Sequence, residues 1–88
     1  MKGVLKMNTT ITLYIKERCP LCDEAKELLF LFRDDYDFTI EEIDIYQDPY
    51  LLEKYHLSIP VIRIKNKELD GAHLNYGKVE QLLKETIT

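Results

Sequence analysis

Cys19 and Cys22 are the only two cysteines in this 88-residue chain, and only Pro20 and Leu21 separate them. A thiolate is the nucleophile of disulfide exchange, and a second thiol can then displace whatever the first has captured. One helical turn brings two Cα atoms within the ~4.4–6.8 Å that a disulfide spans. The pair stands between a strand-like stretch and a helix-like one, which puts Cys19 at a helix start. Unpaired N–H groups and the positive end of the helix dipole favour an anion there. Pro20 has no N–H to lose and suits the first helical turn, leaving the amides of Leu21 and Cys22 free to face the Cys19 sulfur. Lys16 and Arg18 add positive charge. A free thiol ionises near pH ~8.5; these features together are expected to depress Cys19 and make it the attacking residue. Cys22 is expected deeper, as the resolving residue.

Blander uses of the pair compete with this one. As a staple it is poor, because closing two intervening residues removes little chain entropy. As half of a zinc site it lacks company: zinc usually takes four ligands, and the other soft donors, His56 and His73, match no familiar finger spacing. An idle pair on a scaffold that no longer turns over is the third reading.

The elements that position the pair follow from the patterns around it. Ile11-Thr12-Leu13-Tyr14-Ile15 is β-branched and aromatic, and reads as a central strand. Leu21, Ala25, Leu28, Leu29 and Phe32 recur at helical spacing, which predicts a helix from Pro20 to Arg33. Asp34 to Asp37 break it, and Phe38–Ile43 reads as a second strand. Asp48-Pro49 signals a helix start, with Leu51, Leu52 and Tyr55 on its apolar side. Val61–Ile64 follows Pro60 as a third strand. Lys65 to Glu68 is a hairpin turn in which Asn66 tolerates positive φ. Glu68–Asp70 is a short fourth strand ended by Gly71. Val79, Leu82, Leu83 and Thr86 mark a last helix.

The order is βαβ-α-ββα. A strand–helix–strand unit implies a parallel pair with a right-handed crossover, and the hairpin adds an antiparallel strand. The expectation is an α/β domain, a mixed four-stranded sheet with helices on both faces. It is one domain over 1–88, its core at about 10–85 and a flexible N-terminus over 1–8.

Composition sets the bounds. Hydrophobic residues at 45% and charged residues at 32% fit a folded, soluble chain. A net charge of -4 argues against nucleic acid as a partner. No stretch is long and apolar enough to span a bilayer. Met1 to Met7 lacks an apolar signal core and a small-residue cleavage site, so export is not expected, and Met7 is a possible alternative start. A cytoplasmic, reducing location makes the cysteines chemical rather than structural.

Several polar residues take plainer readings. His56 is placed on a solvated helix end, His73 on a surface loop, and Asp44 at a strand end in a structural role. Arg63 is read as snorkelling to water. The six tyrosines are read as mostly core edge or surface.

The stretch from Leu13 to Cys22 resembles the strand and active-site turn of glutaredoxins, with Leu21 where that family commonly has Tyr. Ser58-Ile59-Pro60-Val61 resembles the family's Thr-Val-Pro segment. Glu42–Ile45, with Asp48-Pro49 and the helix behind it, resembles the family's middle strand and helix. The likeness runs from about Ile11 to Leu83. It implies a thioredoxin-like fold and a cis Pro60 lying against the cysteines. It also implies substrate contacts from Lys16, Leu21, Ile59, Pro60 and Gly71. In the family, the residue before the proline offers backbone N–H and C=O to substrate as an added strand would; here that is Ile59. Lys16 matches the lysine that attracts the glutathione carboxylate.

One departure stands out. Asp70-Gly71 fills the family's Gly-Gly place and keeps its second glycine, but Ala72-His73-Leu74-Asn75 follows, without the Asp pair that helps grip the γ-glutamyl end of glutathione. The resemblance therefore implies a monomeric oxidoreductase with no bound cofactor, acting on protein or glutathione mixed disulfides. Glutathione is a possible co-substrate, and a glutathione or thioredoxin reductase system is the electron donor. An iron–sulfur cluster shared between two chains, or a catalytically idle adaptor, are the alternative roles.

Overall fold

The computed structural model describes residues 9–87; the expected flexible N-terminus at 1–8 lies outside them. Four strands and three helices follow in the order β1 (Thr9–Ile15), α1 (Pro20–Phe30), β2 (Phe38–Asp44), α2 (Pro49–Tyr55), β3 (Val61–Ile64), β4 (Lys67–Leu69) and α3 (Tyr76–Ile87). Single 3₁₀ turns at Ile45–Gln47 and Gly71–His73 are additions to the expected pattern.

The sheet order is β2-β1-β3-β4, so β1 is central as its apolar content required. β1 and β2 are parallel, with Ile15 beside Asp44. β1 and β3 are antiparallel, with Tyr14 beside Val61, and β3 and β4 close as a hairpin with Ile62 beside Leu69. This register decides where the chemistry sits. The end of β1, the end of β2, the start of β3 and the end of β4 all fall at one edge of the sheet. The cysteine turn, Asp44, Pro60 and Gly71 are thereby delivered together from distant parts of the chain.

Alternation along the strands divides the core in two. Ile11, Leu13, Ile62 and Ile64 face Ala25 and Leu29 of α1 and Val79, Leu82 and Leu83 of α3. Tyr14 and Val61 face the other way, against Ile45 and Tyr55, with Leu51 and Leu52 of α2 at the margin. Helices cover both faces, as expected.

Local chemistry moves some boundaries. α1 ends at Phe30 rather than Arg33 because the next amides turn to carbonyls three residues back: Leu31 to Leu28, Phe32 to Leu29 and Arg33 to Phe30. Phe32 is still buried by that tighter turn. α2 begins as predicted, the Asp48 carboxylate accepting from Tyr50 N–H at 2.9 Å with Pro49 in the first helical position. In the β3–β4 hairpin it is Lys65, not Asn66, that takes positive φ (57°). β4 begins at Lys67 and ends before Asp70, because the Asp70 side chain instead accepts from His73 N–H and caps the 3₁₀ turn.

Candidate active site

Cys19 and Cys22 are joined, with S–S 2.17 Å and Cα–Cα 5.1 Å. Cys19 is the N-cap of α1 in extended backbone (φ -122°, ψ 94°), and Pro20 takes the first helical position. The Cys22 N–H donates to Cys19 Sγ at 3.0 Å. Of the two amides expected at the sulfur, Cys22 supplies this bond. The Cys19 carbonyl is bound in turn by the Asp23 amide at 3.1 Å. Cys19 is 9% exposed and Cys22 3%, the order of depth expected for an attacking and a resolving residue.

Arg18 enters the turn with φ 54°. A left-handed conformation costs a non-glycine residue about 1–2 kcal/mol. The reversal lets the chain leave β1 and present Cys19 at the head of α1. Arg18 and Lys16 are both exposed. With Glu17, Asp44 and Tyr46 they line a shallow depression of about 660 Å³ at the same edge of the sheet. Asp44 plays the structural part foreseen for it, its carboxylate accepting from Tyr46 N–H at 2.9 Å.

The Ile59–Pro60 peptide is cis. Pro60 is buried, and shares a cleft with Leu21, Glu24 and Ala25 of α1 and with Gly71 and Leu74. The loop before it is pinned twice. The Tyr55 carbonyl, at the end of α2, accepts from the amides of Ser58 (2.7 Å) and Ile59 (3.1 Å). The Ser58 carbonyl accepts from Gly71 N–H at 2.9 Å. The Ile59 N–H that an added strand would use is therefore already donated inside the protein. Gly71 packs so tightly that a Cβ there would lie 2.9 Å from Pro60 Cδ and 3.0 Å from the Ile59 carbonyl oxygen. Its first role is to admit this close approach.

Behind the loop lies a group that the sequence reading missed. The Tyr55 hydroxyl and Arg63 Nη1 both donate to Glu68 Oε2, the latter at 2.9 Å. Arg63 thus pairs across the hairpin instead of snorkelling. The signal was available, because a two-residue loop at Lys65-Asn66 sets Arg63 opposite Glu68. Tyr55 is 3% exposed and stacks on Tyr14 at 4.4 Å between ring centroids, so these two tyrosines are core rather than core edge. Burial first, then the bond to the Glu68 carboxylate, pushes the Tyr55 hydroxyl well above its ordinary pKa.

The histidines bond groups other than the cysteines. His56 is exposed at the end of α2, its Nδ1 3.0 Å from the Leu52 carbonyl. His73 is exposed and holds the Asp70 carboxylate at 2.7 Å, which lowers the Asp70 pKa. Among the described residues, no group of three or more His, Cys, Asp or Glu side chains is arranged to hold a metal ion. No described helix is long and apolar enough to cross a membrane.

Comparison with known proteins agrees with this geometry. A family model described as a Glutaredoxin-like domain (DUF836) matches residues 10–84. The crystal structure of protein XcR50 from X. campestris is similar at 32% identity and TM-score 0.70, over 85% of this chain and 96% of that one. Protein Ne2328 from Nitrosomonas europaea shares the fold at 24% identity and TM-score 0.73, over 86% and 92% of the two chains. The oxidised thioredoxin of Plasmodium falciparum shares it at 18% identity and TM-score 0.66, over 97% and 88%. The architecture is a thioredoxin-like fold.

Proposed function

The chain belongs to the glutaredoxin-like domain family, and from that premise we propose that it is a thiol–disulfide oxidoreductase in which Cys19 attacks and Cys22 resolves. The observation that carries this reading is the cysteine pair at the head of α1, with the Cys22 amide donating to Cys19 Sγ at 3.0 Å. In the reduced protein the same amide and the helix dipole favour a thiolate at Cys19.

The exchange balances without a bound cofactor. The Cys19 thiolate attacks one sulfur of a substrate disulfide; the new S–S bond forms, the old one breaks, and the first substrate thiolate leaves and takes a proton from water. Cys22 loses its proton and attacks Cys19 Sγ, expelling the second substrate thiolate. Two electrons have moved to the substrate, and the protein keeps the Cys19–Cys22 disulfide. A thiol donor, glutathione or a thioredoxin reductase system, returns it to the dithiol. A reducing compartment such as the cytoplasm suits that cycle, and the single domain needs no second copy to perform it.

Two variants test the assignment. Cys19→Ser is expected to reduce disulfide turnover to background. Cys22→Ser is expected to accumulate a Cys19–substrate adduct visible by mass spectrometry. Undiminished turnover in Cys19→Ser would overturn the proposal.

A further inference from the structure

The cleft beside Pro60 is unlike its surroundings. Its volume is about 100 Å³, below the ~300–1,000 Å³ of sites that enclose a small-molecule ligand. That is room for one side chain. Leu21, Leu28, Leu74 and Pro60 supply apolar walls. Leu21 stands 61% exposed next to the reactive cysteine, an apolar surface without cover. The one charged side chain among the lining residues is an acid, Glu24.

The loop on the far side of the cleft offers few free amides to an anion. Three of its amides are already donated within the protein. Gly71 N–H goes to the Ser58 carbonyl at 2.9 Å. His73 N–H goes to Asp70, and Leu74 N–H to the Gly71 carbonyl at 3.5 Å. A carboxylate entering from substrate would meet apolar walls and Glu24 where it needs donors, which is costly.

We propose that this cleft is a subsite for a single apolar side chain flanking the cysteine of a protein disulfide, and that it turns away glutathione mixed disulfides. The inference rests on the oxidoreductase reading and names the substrate class of that site. An apolar residue next to the substrate cysteine enters between Leu21 and Leu74 as the sulfurs meet at Cys19. Its burial favours the encounter, whereas the carboxylates of glutathione gain nothing there and are repelled by Glu24. Lys16 and Arg18, which line a separate depression with Glu17, Asp44 and Tyr46, are exposed to acidic groups farther along a peptide.

The test uses the reduced full chain and three disulfides: a peptide dimer with Leu on both sides of its cysteine, the same dimer with Ser, and the mixed disulfide of glutathione with 2-mercaptoethanol. Released thiol gives kcat/KM for each. The Leu peptide is expected to exceed both others by at least about tenfold, the scale of discrimination an apolar pocket can reach. Leu21→Ser, at an exposed position that the core does not need, is expected to shrink the Leu-to-Ser ratio to within about threefold. Glu24→Lys is expected to raise turnover of the glutathione disulfide by severalfold. Equal rates on the three disulfides, or glutathione fastest, would overturn the subsite while leaving the oxidoreductase reading intact. Reduction of none of them would overturn that reading, and this one with it.

Discussion

At the scale of single residues, the site depends on what is absent as much as on what is present. Pro20 has no amide to leave unpaired at the first helical position, and Gly71 has no Cβ to hold Pro60 away. The second point gives a sharp expectation. In Gly71→Ala the new methyl meets the Ile59 carbonyl and the Pro60 ring, neither of which is the free end of a flexible side chain. Overpacking of this kind typically costs about 1–3 kcal/mol, and each kcal/mol lowers Tm by about 4–8 °C in a domain this small. Thermal unfolding of Gly71→Ala is therefore expected some 5–20 °C below the parent. The loop that carries Pro60 shifts with it, so disulfide turnover falls too. An unchanged Tm would mean that Gly71 owes its place to substrate alone. Leu21 makes the converse point: its side chain stands 61% exposed beside the cysteines.

At the scale of elements, α2 does two jobs. Its last carbonyl, on Tyr55, anchors the amides of Ser58 and Ile59, while its Tyr55 side chain is tied to β4 through Glu68. The hairpin and the Pro60 loop are thus joined through one tyrosine. The hydroxyl is buried and faces a carboxylate, so the fold disfavours the phenolate and raises its pKa above the ordinary 10.0. The unfolded chain ionises near that ordinary value, so the stabilisation is complete below it and is lost as pH climbs beyond it. Urea unfolding of the parent and of Tyr55→Phe is the measurement. The parent is expected to be the more stable at pH 7, and its advantage is expected to shrink steadily above pH 10. A constant difference from neutral to strongly alkaline pH would contradict this. The Arg63–Glu68 pair alone contributes little, because both side chains are about a third exposed or more.

At the scale of the whole molecule, stability and chemistry sit on different parts of one sheet. Leu29 is fully buried between α1 and the sheet. Leu29→Ala is expected to cost about 2–5 kcal/mol, a large share of the total for a small domain, read as a drop in the urea midpoint. Whatever protein remains folded is expected to keep its turnover, since Leu29 packs in a core cluster that includes neither cysteine. Much of this was legible in the chain. Strand alternation, helical spacing and Asp48-Pro49 depend on near neighbours, so the element order, the central β1 and both faces of helices could be read from the sequence. Cys19, Pro20 and Cys22 were legible for the same reason, their geometry being set by one turn of helix. What needed the tertiary structure was every relation between distant segments. The register of β1 on β3 and of β3 on β4 brings Pro60 and Gly71 to the cysteine end of the sheet. Gly71 N–H finds the Ser58 carbonyl, Tyr55 finds Glu68, and the His73 amide turns back to Asp70. The sequence itself determined the local propensities and the reactive pair, because those are fixed by bonds a few residues apart. Only the tertiary structure decided which backbone groups and apolar walls surround that pair, because packing, rather than chain proximity, chooses them.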